Sequence, residues 1–252
     1  MTSPTRYDDL GYAVPLRSRP ARVVSLVPSL TEALAASAPG LLVGATDWCT
    51  HPAGLDVARV RGTKNPDRAS IAGLRPDLVV ANKEENRRVD IERLRADGIP
   101  VWVTDIVDVP SALRSMERLF DVILGANPQW LVAAREAWSG GGRAAYARVA
   151  VPIWRDPWMV VGGGTYTSDL LARLGLANAF AGSPRYPHVD LAAIDDPGTV
   201  DLVLLPDEPY VFTETDGPES FVRVRTRLVS GRLLTWYGPA MLETHAVLQS
   251  IH

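Results

Sequence analysis

The chain has 252 residues, with 26 Lys and Arg against 29 Asp and Glu, a formal charge of −3 and 46% hydrophobic residues. That balance excludes the concentrated basic face of a nucleic-acid-binding domain, and no stretch nears the roughly 20 consecutive apolar residues of a membrane-spanning helix. The single cysteine, Cys49, excludes an internal disulfide, and the length suits one large or two modest domains with a substantial core.

In chain order, the opening MTSPTRYDDLGY has no basic, apolar or cleavage region of a secretory signal. As written the chain therefore reads as cytoplasmic; as the trimmed form of an exported chain it would be extracytoplasmic. Short β-branched and leucine-rich runs follow: RVVSLV (22–27), LLVGAT (41–46), DLVVAN (77–82), VWVTDI (101–106), MVVGG (159–163), DLVLLP (201–206) and RLLTWYG (232–238). Continuous apolar runs of this length predict strands buried on both faces, as in parallel sheets. Helical stretches alternate with them. Ser29 with Glu32 three residues on predicts a capping box at the start of SLTEALAAS. Asn86 and Gly98 bracket a second helix as N-cap and C′ residue. TYTSDLLARLG and GPAMLETHAVLQSI read as further helices. Between Pro110 and Trp138 there is only helical spacing, broken by SGGG at 139–142.

The halves repeat. RPDLVVANKEE (75–85) lies over TVDLVLLPDEP (199–209), with Asp77 opposite Asp201, an offset of 201 − 77 = 124. The pattern predicts the α/β class: two similar α/β lobes with mostly parallel sheets, 1–107 and 149–252, joined by a helical connection over 108–148. Open α/β sheets bind ligands at the carboxyl ends of their strands, which predicts a cleft between the lobes.

The residues just after the strands carry the chemistry. They include Ser29; Trp48, Cys49 and His51; Lys83, Glu84 and Glu85; the WRDPW turn of Trp154 to Trp158; GGGTYT at 162–167; DEPY at 207–210; and Trp236. Repeated tryptophan and tyrosine at one edge suit a large, partly apolar ligand. Each of Trp154, Trp158 and Trp236 has a place in the core as its alternative, but their shared position after strands predicts partial exposure toward one cavity. The four histidines, His51, His188, His245 and His252, lack the tight spacing of a closed metal site, so no protein-only metal site is expected. Cys49 reads as a small buried hydrophobe. The glycines at 162–164 could cradle a phosphate, but they match neither G-x-G-x-x-G nor G-x-x-x-x-G-K-[ST]. Arg223, Arg225 and Arg227, alternating with valines, read as the wet side of a strand or short helix. Nothing demands an enzyme.

RVVSLVPSLTEAL, LLVGATDWCTHP and RPDLVVANKEENRR…IERLRADGIPVWV together resemble the first lobe of the class III periplasmic binding proteins, the cobalamin-, siderophore- and haem-binding proteins of ABC importers. DDLGYAVPLRSRPARVVSL resembles the hairpin that often opens them. PIWRDPWM, TYTSDLLARLGLANAF, RYPHVDL, LLPDEPYVF and LLTWYGP resemble a bacterial branch near the cobalamin-binding members. The resemblance implies a non-catalytic binding protein for a large, partly planar ligand such as a corrinoid or another metal chelate. By position, Ser29, Trp48, Lys83 and Glu84 would face the ligand from the first lobe, and Trp154, Arg155, Trp158, Tyr166, Tyr186, Glu208, Tyr210 and Trp236 from the second. No intrinsic cofactor is implied, because the metal of a cobalamin, haem or siderophore belongs to the ligand. The implied partners are the ligand and the membrane subunits of an ABC importer, met through acidic residues among Glu84, Glu85 or Glu92 and Glu208 or Glu219; neither nucleic acid nor membrane insertion is implied. Two alternatives stand beside this reading. One is a cytoplasmic enzyme or cofactor-handling protein that keeps the fold, with Arg155, Asp156 and Glu208 doing chemistry; the other is an interaction module with a filled cleft.

Overall fold

The computed structural model describes residues 5–248; His252 and the part of the last predicted helix beyond Leu248 lie outside them. The chain divides into two compact units. The first runs to Ile106 and takes in Ser111–Ala133 and Tyr237–Pro239. The second holds Val107–Pro110, Ala134–Trp236 and the chain from Ala240 on. The helical segment expected at 108–148 is thus shared out between the units and is not a body of its own.

In the first unit a short antiparallel pair, β1 (Arg6–Tyr7) and β2 (Ala13–Val14), precedes a five-stranded sheet. The sheet contains β3 (Val23–Ser25), β4 (Leu42–Ala45), β5 (Ala58–Arg59), β8 (Leu78–Asn82) and β9 (Val101–Thr104), in the order β5-β4-β3-β8-β9 with every pair parallel. A small hairpin, β6 (Arg61–Gly62) with β7 (Asn65–Pro66), follows β5. Strands β3, β8 and β9 have every residue buried, which is why they read as unbroken apolar runs. Helices α1 (Pro28–Ser37), α2 (Arg68–Gly73) and α3 (Arg88–Ala96) connect them. Val24, Val79 and Val103 of the sheet pack with Ile71, Ile91 and Leu94 of the helices. Helix α4 (Val109–Glu117) then runs into a π-helical stretch, Arg118–Leu124, and α5 (Gln129–Ala137) follows.

The opening hairpin is pinned to edge strand β9. The Asp9 N–H donates to the Val103 carbonyl at 3.1 Å, and Asp8 accepts from Arg95 at 2.6 Å. The Arg118 guanidinium holds Asp9, and the Arg95 guanidinium lies 3.7 Å over the Tyr12 ring.

The second unit has a four-stranded, all-parallel sheet in the order β13-β10-β14-β15: β10 (Ala147–Ala150), β13 (Leu176–Asn178), β14 (Leu202–Pro206) and β15 (Arg225–Val229). A separate antiparallel pair, β11 (Pro152–Trp154) and β12 (Met159–Val160), carries the WRDPW turn. Helices α6 (Tyr166–Arg173), α7 (Leu191–Ile194), α8 (Gly231–Thr235) and α9 (Ala240–Leu248) complete it. Two runs expected as sheet strands take other places. MVVGG supplies β12 of the β11–β12 pair and bridges at Met159–His188 and Gly163–Pro184, not a strand of the parallel sheet, and RLLTWYG forms α8, the strand falling earlier on the arginine-rich β15.

The repeat has a physical basis. In the first unit Asp77 accepts from the Ala21 and Arg22 N–H groups, both at 2.9 Å, and its own N–H donates to the Arg22 carbonyl at 2.8 Å. In the second unit Asp201 accepts from the Arg148 N–H at 2.7 Å and donates its N–H to the Arg148 carbonyl at 2.8 Å. Each aspartate opens one central strand and clamps the start of its neighbour. The strand orders β4-β3-β8-β9 and β13-β10-β14-β15 then correspond one to one.

Candidate functional site

Four aromatic rings form a ladder in the second unit. Trp154 meets Tyr210 edge-on at 5.4 Å between centroids, Tyr210 meets Phe212 at 4.7 Å, and Phe212 stacks on Trp158 at 6.0 Å. The ladder runs from outside to inside, with Trp154 47% exposed and Trp158 8% exposed. Trp158 packs with Phe212, Val160, Val203 and Leu205 and takes the edge of Phe221 at 5.4 Å, so it belongs to the core. The WRDPW turn therefore directs one tryptophan to each side of the unit's surface. Asp156 makes the bend with φ 56, a conformation that Asp tolerates better than most residues.

Arg155 lies beneath this turn, 5.4 Å over the Trp158 ring. Its Nη1 donates to Asp216 Oδ1 and, at 2.6 Å, to Glu219 Oε1; Nη2 reaches Ser220 Oγ at 3.4 Å, and Nε is 3.3 Å from Asp156 Oδ2. The hydrogen bond that Arg155 donates to Glu219, joined by that to Asp216, raises the Arg155 pKa, so the guanidinium stays charged at any ordinary pH. The same hydrogen bond from Arg155 lowers the Glu219 carboxyl. The Tyr210 hydroxyl donates to Asp216 Oδ2 at 2.7 Å, and that bond raises the phenol's pKa. Nothing in the sequence pattern singled out Asp216, although the turn-forming DGPES stretch that contains it follows a predicted strand.

Glu208 and Trp236 are joined to each other. The Trp236 indole N–H donates to Glu208 Oε1 at 2.5 Å, and the Thr235 hydroxyl donates to the same oxygen at 3.2 Å. Trp236 is 6% exposed, and its carbonyl accepts from the Tyr166 hydroxyl at 3.4 Å. Tyr166 is buried on α6, and burial pushes its phenol pKa up. The partial exposure expected of Trp158 and Trp236 is thus not found: aromatic packing takes the first inward, and a hydrogen-bonded partner lets the second be buried. Tyr186 is exposed on the loop before α7, with the Arg185 guanidinium 5.9 Å over its ring.

The three glycines at 162–164 close a loop. Gly162 N–H donates to the Arg185 carbonyl at 2.5 Å, Gly163 N–H to the Ser183 carbonyl at 2.7 Å, and Arg185 N–H returns to the Gly163 carbonyl at 2.8 Å. A Cβ on Gly162 or Gly163 would run into the Ser183 or Ala181 carbonyl oxygen. Close backbone approach explains the first two glycines, and their amides are engaged with carbonyls and not offered to a phosphate.

In the first unit, Trp48 follows β4 and is 67% exposed. Its indole nitrogen sits against the β6–β7 hairpin, 3.2 Å from where a Cβ on Gly62 would stand. Lys83 pairs with Asp105 at 2.8 Å. The Glu84 N–H donates to Asn82 Oδ1 at 2.8 Å, and its carbonyl accepts from Lys64 Nζ. Asn86 does not cap α3, which begins after Arg87; its amide instead ties the turn to Leu26 O at 3.2 Å and Thr63 O at 3.0 Å. Ser29 is buried in α1, where Val27 takes the N-cap position and Pro28 the first turn, so the expected capping box does not form. Cys49 is buried with the Thr31 and Thr46 hydroxyls 3.0 and 3.1 Å from its sulfur, and burial pushes the thiol pKa up. Among the described residues no three His, Cys, Asp or Glu side chains converge as a metal site.

No family model matches the chain. It is similar to the vitamin B12-binding protein of Pectobacterium carotovorum subsp. carotovorum (strain PC1), 27% identical over 186 residues, which cover 68% of this chain and 66% of that protein. The match thus spans just under two thirds of the curated relative's length. The periplasmic vitamin B12 binding protein of Vibrio cholerae has the same fold, with a TM-score of 0.72 at 19% identity over 92% of this chain and 96% of that one. So does a periplasmic heme binding protein from Pseudomonas aeruginosa, with a TM-score of 0.70 at 19% identity over 92% of each chain. The chain is thus similar in sequence to a vitamin B12-binding protein and shares the fold of these periplasmic binding proteins.

Proposed function

We propose that this chain is a non-catalytic binding protein for a large, partly planar metal chelate, with a corrinoid as first candidate. The observation that carries the reading is Trp154, an indole left half in water with Tyr210 standing edge-on behind it. A flat ring held rigid by a second ring is a low-entropy stacking surface for a macrocycle or base plane. Within the second unit Tyr186 and Tyr210 join Trp154 as contact residues, and the buried Trp158, Tyr166 and Trp236 hold the loops in place. The names of the relatives, vitamin B12-binding and heme-binding, support the same ligand class.

The catalytic alternative has little to work with. Arg155 is committed to Asp216 and Glu219, and Glu208 to Trp236 and Thr235. The structural relatives are described as periplasmic, which favours an extracytoplasmic protein over the cytoplasmic expectation, with delivery to an ABC importer as its task. Titration of the purified protein with cyanocobalamin and with haemin, followed by calorimetry and tryptophan fluorescence, tests the reading. Saturable one-site binding of either, weakened by Trp154→Ala, is expected. Absence of binding by both overturns it.

A further inference from the structure

The geometry points to Asp216 and Glu219 as specificity-determining residues that bias the Trp154–Tyr210 surface toward uncharged or cationic chelates and against carboxylate-bearing ones. This rests on the binding reading given above. Binding proteins for anionic ligands need a guanidinium or ammonium with donors to offer, because a carboxylate is taken most strongly by the bidentate Arg fork. Arg155 adjoins Trp154 in the chain, but its Nη1 and Nη2 already donate to Asp216, Glu219 and Ser220, and its Nε lies buried 3.3 Å from Asp156. One positive charge meets three carboxylates, leaving 1 − 3 = −2 beside the aromatic surface. Tyr210 adds to the arrangement, since its hydroxyl donates to Asp216 and so presents the ring, not the O–H, to a ligand.

The opposing cation is Arg185, exposed at the Tyr186 ring. It sits on a loop anchored to Gly162 and Gly163, whereas Asp216 and Glu219 reach the ladder itself through Tyr210 and Arg155. A carboxylate on the ligand's rim would meet the acidic cluster first, and amide groups on the same rim could donate to it. The bias is electrostatic, so it must weaken with salt.

The test uses one molecular frame with and without a charge. Cyanocobalamin is neutral overall, and hydrolysis of one peripheral amide gives a monocarboxylate of the same shape. Calorimetric titration of the native protein is expected to show the monocarboxylate binding roughly tenfold more weakly, the size of one surface like-charge contact. The gap should close to about threefold or less in Asp216→Asn/Glu219→Gln, and also in the native protein between about 0.05 and 1 M salt, where screening shortens from roughly 14 Å to 3 Å. The salt series needs no variant to fold. Equal or tighter binding of the monocarboxylate at low salt overturns the inference alone, as does a gap that neither salt nor the variant changes. Binding of neither compound overturns the binding reading, and the inference falls with it.

Discussion

The Trp236 indole N–H donates to Glu208 Oε1 at 2.5 Å, so two residues expected to face a ligand are each other's partner. Glu208 sits just past β14 and Trp236 just past α8, and the Gly231 N–H donates to the neighbouring Asp207 at 2.6 Å. The end of the strand and the start and end of the helix are thereby fastened at three points. Leaving a buried indole N–H without an acceptor costs about 1–3 kcal/mol. Glu208→Ala should lower stability by that amount, measured by urea denaturation, while Glu208→Gln, which keeps a carbonyl acceptor, should lose under about 1 kcal/mol. Equal losses in both variants would mean that the hydrogen bond is not what holds Trp236.

The two tryptophans of the WRDPW turn should separate binding from stability. Trp158→Ala removes a ring packed between Phe212 and Phe221 and should cost about 3–5 kcal/mol of folding free energy. Trp154→Ala removes a half-exposed ring and one edge contact, so its folding cost should stay near 1 kcal/mol. Its effect on cyanocobalamin or haemin affinity should instead be roughly tenfold. Thermal melts and one titration per variant check both. A melt of Trp154→Ala as low as that of Trp158→Ala would return the whole turn to the core.

Period and run length made the sheets legible. The fully buried β3, β8, β9 and β14 carry their apolar residues without interruption, and Asp77 and Asp201 marked the same corner of each repeat. Arg225 and Arg227 lie in water on edge strand β15, one of the two forms, strand or short helix, that their alternation allows; the place of that strand in the sheet is not legible, because its burial is patchy and RLLTWYG is the more apolar run nearby. The site was half legible. Aromatic residues after strands identified the Trp154–Tyr210 pair, but exposure depends on partners distant in sequence. Phe212 and Phe221 bury Trp158 from over fifty residues away, and Glu208 satisfies Trp236 across α8. Likewise the role of Arg155 is set by Asp216 and Glu219, some sixty residues on, which no local spacing signals.

The Asp201 clamp predicts an acid limb. The Arg148 guanidinium and N–H hold the Asp201 carboxyl at about 2, against about 3.9 for an unfolded aspartate. A carboxyl depressed in the folded state contributes stability that is fully present above the unfolded value and is lost as pH falls through the folded one. Denaturant midpoints should therefore fall between about pH 4 and pH 2. Subtracting the curve of Asp201→Asn should flatten part of that fall, with the two proteins converging near pH 2. A constant difference down to pH 2 would show that the carboxyl's charge plays no part in the clamp.

The glycine run offers the sharpest contrast between close approach and conformational freedom. A Cβ on Gly163 meets the Ala181 carbonyl, a backbone atom that cannot swing aside, while a Cβ on Gly182 in the facing loop meets nothing within 4 Å. Gly163→Ala must push the 181–185 loop away and weaken the pairing of Gly163 with Ser183 and Arg185, an overpacking cost of about 1–3 kcal/mol. Gly182→Ala loses no contact and restricts the unfolded chain, so it should be neutral or stabilising by up to about 1 kcal/mol. Because Tyr186 follows this loop directly, Gly163→Ala should also weaken binding of cyanocobalamin or haemin beyond any change in the folded fraction, whereas Gly182→Ala should leave it unchanged. Matched melting temperatures for the two variants would remove close packing as the reason for glycine at 163.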